Sequence, residues 1–436
     1  MMVKEHISRV AELERLFQKY PDVPKEAIVK GDMLLQGVTF TDAALQRLDA
    51  EPTKLKSYEI FSFDRVRVKE MRSKESFRVP ESVRFKDGVY QLRPTSLSVR
   101  IATGSPYLVD LTDGKWSLLV DGEYIASVEF PPRPKYYDLV FEDGTQYREL
   151  FPLVNWNYTA FCTVTRYCEH FTFKEQCKFC DLNPAARELK KSGLPYTVFK
   201  PLNKVSKVAR TIFRDPEYRA PDARWVAISG GTIRRKLRGM GDTDFYVRYT
   251  EAIREQVGGR PGIFVQTAAK EKADCKRLRD AGATSHCANY EVWDRRLFGI
   301  ICPGKERIMG YDQWIRRIID SVDVFGEGNV IPAVVVGPEL VQPHGFKSMD
   351  EGVKSNAEGF EFLMSHGVVP RVIVWCVEPW SVYGRELPPP LEYIIRVNKA
   401  WYETWVKYEL PPIPGMGLMG PGRATGDQYI NYDMGY

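Results

Sequence analysis

The chain has 436 residues, 44% hydrophobic and 12% aromatic, which is ample for two or three domains or for one large enzyme domain with an elaboration. Its 62 basic residues are interspersed with 57 acidic ones, and a net charge of +5 argues against a general nucleic-acid binder, leaving only a local basic groove open. The opening MMVKEHISRVAELERLF has no apolar run of signal-peptide type, and nowhere do about 18 apolar residues follow one another as a membrane span requires. A cytoplasmic, reducing setting is therefore expected, in which free thiols serve metals or catalysis more often than disulfides.

In chain order, residues 3–19 put Val3, Ile7, Val10, Leu13, Leu16 and Phe17 on one helical face, and Tyr20-Pro21 ends the run. A second short helix is predicted over 42–48, with Thr41 as its cap. From about residue 58 the period changes to two. Asp-Gly turns recur at Asp87-Gly88, Asp113-Gly114, Asp121-Gly122 and Asp143-Gly144, with strand-like runs such as 116–120 and 124–130 between them. Residues 1–150 thus read as a helical, then antiparallel β-rich region, left through the stiff connector Pro131-Pro132-Arg133-Pro134. No recognisable chemistry lies in it.

After Leu150 strands alternate with helices. Strands are predicted at 158–165, 225–229, 262–267, 286–292, 330–337 and 368–377. Val205, Val208, Ala209, Ile212 and Phe213 share one helical face, as do Trp314, Ile315, Ile318, Ile319 and Val322. Further helices are predicted at 243–256, 271–282, 350–366 and 390–407. Six β–α units in a row imply an α/β fold over 151–410, with a parallel sheet either doubly wound or curled into a partial barrel. In both cases ligands sit at the carboxyl ends of the strands. The Gly-, Pro- and Met-rich segment 411–436 reads as a loose tail, with a lid over the strand ends as the other reading.

The chemistry gathers directly after the first of these strands. Residues 155–184, NWNYTAFCTVTRYCEHFTFKEQCKFCDLNP, hold Cys162, Cys168, Cys177 and Cys180, four of the eight cysteines in nineteen positions. A C-x-x-C pair inside such a cluster reads as a zinc or iron–sulfur site before it reads as a disulfide. A closed four-cysteine zinc knuckle would use Cys162 as well, but the Cys162-x5-Cys168 spacing fits its usual C-x2–4-C pairs poorly.

With Thr165-Arg166-Tyr167-Cys168 leading in and Cys177-Lys178-Phe179-Cys180 closing it, this loop resembles the cysteine loop of radical S-adenosylmethionine (SAM) enzymes. The family's usual signature is C-x3-C-x2-C with an aromatic before the last cysteine; here eight residues lie between Cys168 and Cys177. The resemblance implies a partial (β/α)6, TIM-like barrel. It also implies Cys168, Cys177 and Cys180 as ligands of a 4Fe-4S cluster, with Cys162 in place of Cys168 as the open alternative for the first ligand. Three thiolates leave one iron for the amino and carboxylate groups of SAM, which is cleaved to a 5′-deoxyadenosyl radical.

The second strand ends in Ser229-Gly230-Gly231-Thr232, similar to the family's glycine-rich SAM motif, with Thr232 where an acidic residue is common. Gln266-Thr267 and Asn289-Tyr290-Glu291 end the next two strands, and Glu291 is the stronger candidate for contacting SAM. The run from Val334 to Glu339 loosely resembles the G-x-I-x-G-x-x-E adenine region, with Ala333 for the first glycine and Glu339 one place early. Residues 289–305, NYEVWDRRLFGIICPGK, resemble the subgroup of biotin synthase and the hydrogenase-maturation proteins.

Cys275, Cys287, Cys302 and Cys376 show no C-x-x-C spacing, so no auxiliary cluster is expected, and no cobalamin signature is present. Cys376, late in the sixth strand, is a candidate hydrogen-atom donor, although a buried apolar role is the commoner one for such a cysteine. The resemblance further implies an external electron donor of flavodoxin or ferredoxin type. A small or medium-sized metabolite is expected as substrate, with a protein side chain as runner-up. A non-catalytic iron–sulfur carrier is the alternative function.

Overall fold

The structure, a computed structural model, describes residues 8–50, 54, 79–191 and 198–416. Val3 and Ile7 of the first predicted helix, the start of the β pattern near residue 58, and 417–436 of the C-terminal segment lie outside the described residues.

The N-terminal region is built on a six-stranded sheet of β1 (Thr39–Phe40), β2 (Ser82–Asp87), β3 (Leu92–Ser98), β4 (Tyr107–Thr112), β5 (Lys115–Val120) and β6 (Glu123–Glu129), in the order β1-β4-β5-β6-β2-β3. Two of the Asp-Gly pairs close its tight hairpins. Asp113 and Gly114, and likewise Asp121 and Gly122, both take positive φ, as type I′ turns demand of their central residues. The Arg9–Lys19 and Asp42–Ala50 helices form as expected, and the Thr41 hydroxyl accepts from the Ala44 N–H at 3.2 Å to cap the second.

Between those two runs a helix that the sequence did not announce, Lys25–Gln36, is buried on nearly every face. Burial all round erases the apolar stripe that would have marked it. Its Asp32 carboxylate, with no solvent exposure, accepts from Arg9 Nε at 2.6 Å and from the Tyr107 hydroxyl at 2.7 Å. The helix packs on β3 and on the long Leu391–Lys407 helix, and so joins the N-terminal sheet to the rest of the molecule.

The second half carries β7 (Leu153–Val154), β8 (Thr159–Thr165), β9 (Trp225–Gly230), β10 (Gly262–Gln266), β11 (Ser285–Cys287), β12 (Ala333–Val336) and β13 (Arg371–Val374). Strands β8 to β11 pair in parallel and in chain order. Parallel bridges from His286 to Val330 and from Glu291 to Val334 carry the sheet on to β12, which pairs with β13. A strand order that never reverses is that of a barrel wind; a doubly wound sheet reverses at its switch point. Among the described residues no pairing joins β13 back to β8, and β7 lies antiparallel along the free side of β8. The last three strands are shorter than the sequence suggested. Glu291, at φ 65°, interrupts the run that was expected to continue to Val292.

Helices Leu202–Arg214, Asp242–Val257, Lys272–Asp280, Tyr311–Asp320, Met349–Met364 and Leu391–Lys407 connect and cover the strands. One apolar core runs from Leu13 and Phe85 of the N-terminal region through Val226 and Val334 to Trp314 and Trp401. Leu410, Ile413 and Met416 belong to that core, which corrects the loose-tail expectation for 411–416. The Gly415 carbonyl accepts from Asn155 Nδ2 at 2.8 Å and from the Thr159 hydroxyl, and Gly415 packs on Phe264 and Trp225. These contacts cluster at the amino ends of β8 and β9, so this stretch is a plug under the barrel and not a lid over its mouth.

Candidate functional site

A cleft opens at the carboxyl ends of the strands, where Phe161, Gly230, Gln266, Glu291, Val335 and Ile373 contribute in turn from the successive strands or the turns that follow them. Cys168, Cys177 and Cys180 line the same cleft. Strand β8 delivers them, because its chain leaves the sheet at Thr165 and turns at once into the cysteine loop.

The loop is held from three sides. Asn183 clasps Cys168 by both backbone groups, its Oδ1 accepting from the Cys168 N–H at 2.9 Å and its Nδ2 donating to the Cys168 carbonyl at 3.1 Å. A tight turn closes the C-x-x-C pair, with the Cys180 N–H on the Cys177 carbonyl at 3.0 Å. The Lys178 N–H donates to Ile301, and the Tyr383 N–H donates to Lys178, each at 2.9 Å, so the loop is pinned between two later segments.

The glycine-rich segment after β9 is the third support. A Cβ on Gly231 would lie 2.3 Å from the Tyr167 carbonyl oxygen and 2.6 Å from Cys168 Cα, so only glycine lets the two chains pass. A Cβ on Gly230 would meet the Tyr246 hydroxyl at 2.6 Å. The Glu169 N–H donates to the Thr232 carbonyl at 3.0 Å. Gly230, Gly231, Thr232, Gln266 and Glu291 all line the cleft, and Cys376, just after β13, forms part of its wall. The Cys376 thiol reaches the Leu34 carbonyl at 3.5 Å, which ties that wall to the N-terminal region.

Three residues singled out by the sequence lie elsewhere. Ser229 is buried in β9 and takes no part in the lining. Cys162, opposite Ile228 in the parallel ladder, is buried in the general core; strand alternation sends it to the face opposite Phe161. Glu339 misses the cleft because its carboxylate is used elsewhere. It accepts from the Tyr393 hydroxyl at 2.5 Å, Asn356 Nδ2 at 3.0 Å and the Gly337 N–H at 2.7 Å, clasping the helices Met349–Met364 and Leu391–Lys407.

Other residues in the cleft had no sequence signal of their own. Lys305, nearly buried, donates to Glu291 Oε1 at 2.6 Å and to the Asn289 carbonyl at 2.7 Å, and its ammonium lies 4.7 Å from the centre of the Trp314 ring. Burial works against that charge, but Glu291 and the thiols of Cys177 and Cys302 outweigh it and raise the pKa above the usual lysine value. Cys302, read as scattered, is in hydrogen-bonding contact with Cys177 and lowers its pKa, with Lys305 adding to the effect. Burial instead pushes Cys180 well up, and pushes Cys168 up to about 11 against the backbone N–H groups of His170 and Thr232. His170 is 2% exposed and lines the cleft; burial first, then Lys305 and Arg234, bring its pKa down to about 4, so the ring is neutral at ordinary pH. Glu378, which accepts from the Asp181 N–H at 2.7 Å right beside Cys180, is held well above the carboxylate range by burial and by the adjacent Asp181 carboxyl.

Among the described residues no three His, Cys, Asp or Glu side chains converge on a point suited to one metal ion. The three loop thiols nevertheless line one cleft, beside a buried cation and a neutral histidine without a partner. That donor set, three soft sulfur donors with a neighbouring cation and room between them, fits a multi-iron cluster better than a single ion.

No protein-family model matches the sequence. A bacteriochlorophyllide c C-7(1)-hydroxylase of Chlorobaculum limnaeum is 23% identical over 252 residues, which are 56% of this chain and 58% of that protein, so the match spans less than two thirds of the relative. Among solved structures, methylornithine synthase superposes with a TM-score of 0.41 at 13% identity, covering 68% of this chain and 84% of that one. Coproporphyrinogen III oxidase from Escherichia coli, described as a radical SAM enzyme, gives 0.37 at 11% identity over 58% and 52% of the two chains. The FeFe-hydrogenase maturase of Carboxydothermus hydrogenoformans gives 0.36 at 11% over 65% and 64%.

Proposed function

We infer that this chain is a radical SAM enzyme, in which Cys168, Cys177 and Cys180 hold a 4Fe-4S cluster and a small or medium-sized metabolite is the substrate. The observation that carries the reading is the packing of the cysteine loop on the glycine-rich segment, inside a cleft that all six strand ends share. Neither motif alone would support it. When bound, the cluster and SAM supply reductive cleavage to a 5′-deoxyadenosyl radical, which takes a hydrogen atom from the substrate.

The chain's own groups account for binding and exclusion. Lys305, held by Glu291, presents a buried cation to the SAM carboxylate, and charge-assisted bonds of that kind are the strong ones. The Thr232 region and Glu291 offer acceptors for the SAM amino group, and Gln266 and Asn289 offer polar contacts deeper in the cleft. Trp375 and Phe179 line it with apolar surface, and the helix Lys25–Gln36 closes the back of the Cys376 wall, so water is kept from a reactive carbon radical. Cys376, which lines the cleft, is the candidate for giving back a hydrogen atom. The loop after β9 carries exposed Arg235, Lys236 and Arg238 beside the cysteine loop, and Arg234 stacks 4.1 Å from the Phe173 ring centre. That basic rim suits an acidic electron donor of flavodoxin or ferredoxin type.

Anaerobically reconstituted protein is expected to be brown, to carry about four irons, and with dithionite and SAM to release 5′-deoxyadenosine and methionine. Tight zinc with no iron would overturn the reading. An intact cluster with no 5′-deoxyadenosine would leave an iron–sulfur carrier. Deuterium transfer from candidate metabolites into 5′-deoxyadenosine would identify the carbon that loses hydrogen.

A further inference from the structure

His170 is two residues beyond Cys168 and lines the same cleft as the three loop thiols. It is 2% exposed, and neither Nδ1 nor Nε2 has a hydrogen-bond partner. Leaving a buried polar group unpaired costs about 1–3 kcal/mol, and a neutral imidazole has one donor and one acceptor to satisfy. The ring is also held firmly in place. A Cβ on Gly304 would lie 2.1 Å from Nδ1 and 2.8 Å from Cε1, so glycine at that position is what makes room for the imidazole. With Nδ1 against Gly304, the opposite edge of the ring is left for the cleft.

We propose that His170 is a positioning residue for the cluster, its ring N–H donating a hydrogen bond to a sulfur of the bound 4Fe-4S group, either a sulfide or a ligating thiolate. The inference rests on the function proposed above and adds a role that the cysteine pattern does not contain. Donors to cluster sulfur stabilise the more negative, reduced state, so this contact raises the reduction potential. It serves as a counterpart to the backbone N–H groups of His170 and Thr232 that already reach the Cys168 sulfur. Because the sulfur bears negative charge and the site is buried, one such bond has a large share in the poise of the cluster.

The test compares wild type, His170→Leu and His170→Gln, each reconstituted anaerobically, by redox titration followed through the EPR signal of the reduced cluster. At a fixed potential, His170→Leu should show a reduced-to-oxidised ratio about tenfold lower, a midpoint about 59 mV more negative for one electron. His170→Gln keeps an N–H donor and should recover most of the difference. An unchanged midpoint in a fully loaded His170→Leu protein overturns the inference. Should that variant fail to load iron, wild-type protein labelled with 15N-histidine decides the matter. A weak nitrogen coupling to the reduced cluster is expected; no coupling, or the strong coupling of a direct ligand, overturns it. A wild-type protein that forms no cluster at all refutes the proposed function, an outcome separate from a cluster whose potential ignores His170.

Discussion

Cys162 and Cys168 are six positions apart, yet strand geometry gives them different fates. Cys162 is fully buried under the helix Asp242–Val257, whereas Cys168 lies at the point where β8 gives way to the loop. Replacing Cys168, Cys177 or Cys180 with Ala should therefore abolish iron binding after reconstitution. Cys162→Ala should keep the iron and cost only about 1 kcal/mol of stability, as a small cavity in a packed core does. Iron analysis and denaturant melts of the four proteins check this, and iron lost only from Cys162→Ala would reverse the assignment. Lys305 is a different case, since nothing in its spacing marks it. Lys305→Met should weaken SAM binding by about tenfold or more, from the loss of a charge-assisted bond of about 1.5–3 kcal/mol. Equilibrium dialysis of the loaded protein measures it, and unchanged affinity would assign the lysine to Glu291 alone.

Turns and segments set the geometry that single residues exploit. Gly231 passes so close to Tyr167 and Cys168 that any side chain must displace the loop backbone. Gly231→Ala should cost about 1–3 kcal/mol by overpacking and lower cluster occupancy even though every ligand is intact. Normal iron content and an unchanged melting temperature would count against the close approach. The clasp around Glu339 belongs to this scale too. Burial raises its pKa in the folded protein, with its three donors opposing the shift. The folded state then holds a proton that the unfolded chain gives up, so stability is full below the ordinary glutamate pKa and falls as pH rises toward the folded value. Glu339→Gln should flatten that decline in pH-dependent melts while leaving SAM binding unchanged; a loss of SAM affinity would return Glu339 to the cofactor site.

Across the whole molecule, the N-terminal region and the segment before Met416 brace the barrel from outside the cleft. Asn155, Trp156 and Asn157 all have positive φ, a left-handed turn that side chains with Cβ ordinarily avoid. Asn155 holds it to Gly415, Asn157 Nδ2 donates to the Pro132 carbonyl at 2.8 Å, and Arg84 stacks 3.7 Å from the Trp156 ring centre. Three distant parts of the chain meet there, at the end of the barrel away from the chemistry. Truncation after Tyr408 removes Leu410, Ile413 and Met416 from the core, and should lower the melting temperature sharply, since each such side chain contributes about 1.5–3 kcal/mol. Truncation after Met416, which keeps all three side chains, is the comparison. If both truncations melt like the full chain, the plug contributes nothing.

The sequence by itself determined what is local or periodic. The β–α alternation, the I′ hairpins at Asp113-Gly114 and Asp121-Gly122, and the placing of the cysteine loop directly after a strand all depend on neighbours within a turn or a strand. It could not show the helix Lys25–Gln36, whose burial on every side leaves no stripe, nor that Glu339 turns away to Tyr393 and Asn356. Only the tertiary structure brought Cys302 to Cys177, Lys305 to Glu291 and the unpaired ring of His170 into the cleft. Those relations join side chains that are distant in sequence, or depend on what a cavity leaves unsatisfied. A chain's spacing encodes periodicity along itself, and carries no distance between faces that meet only after folding.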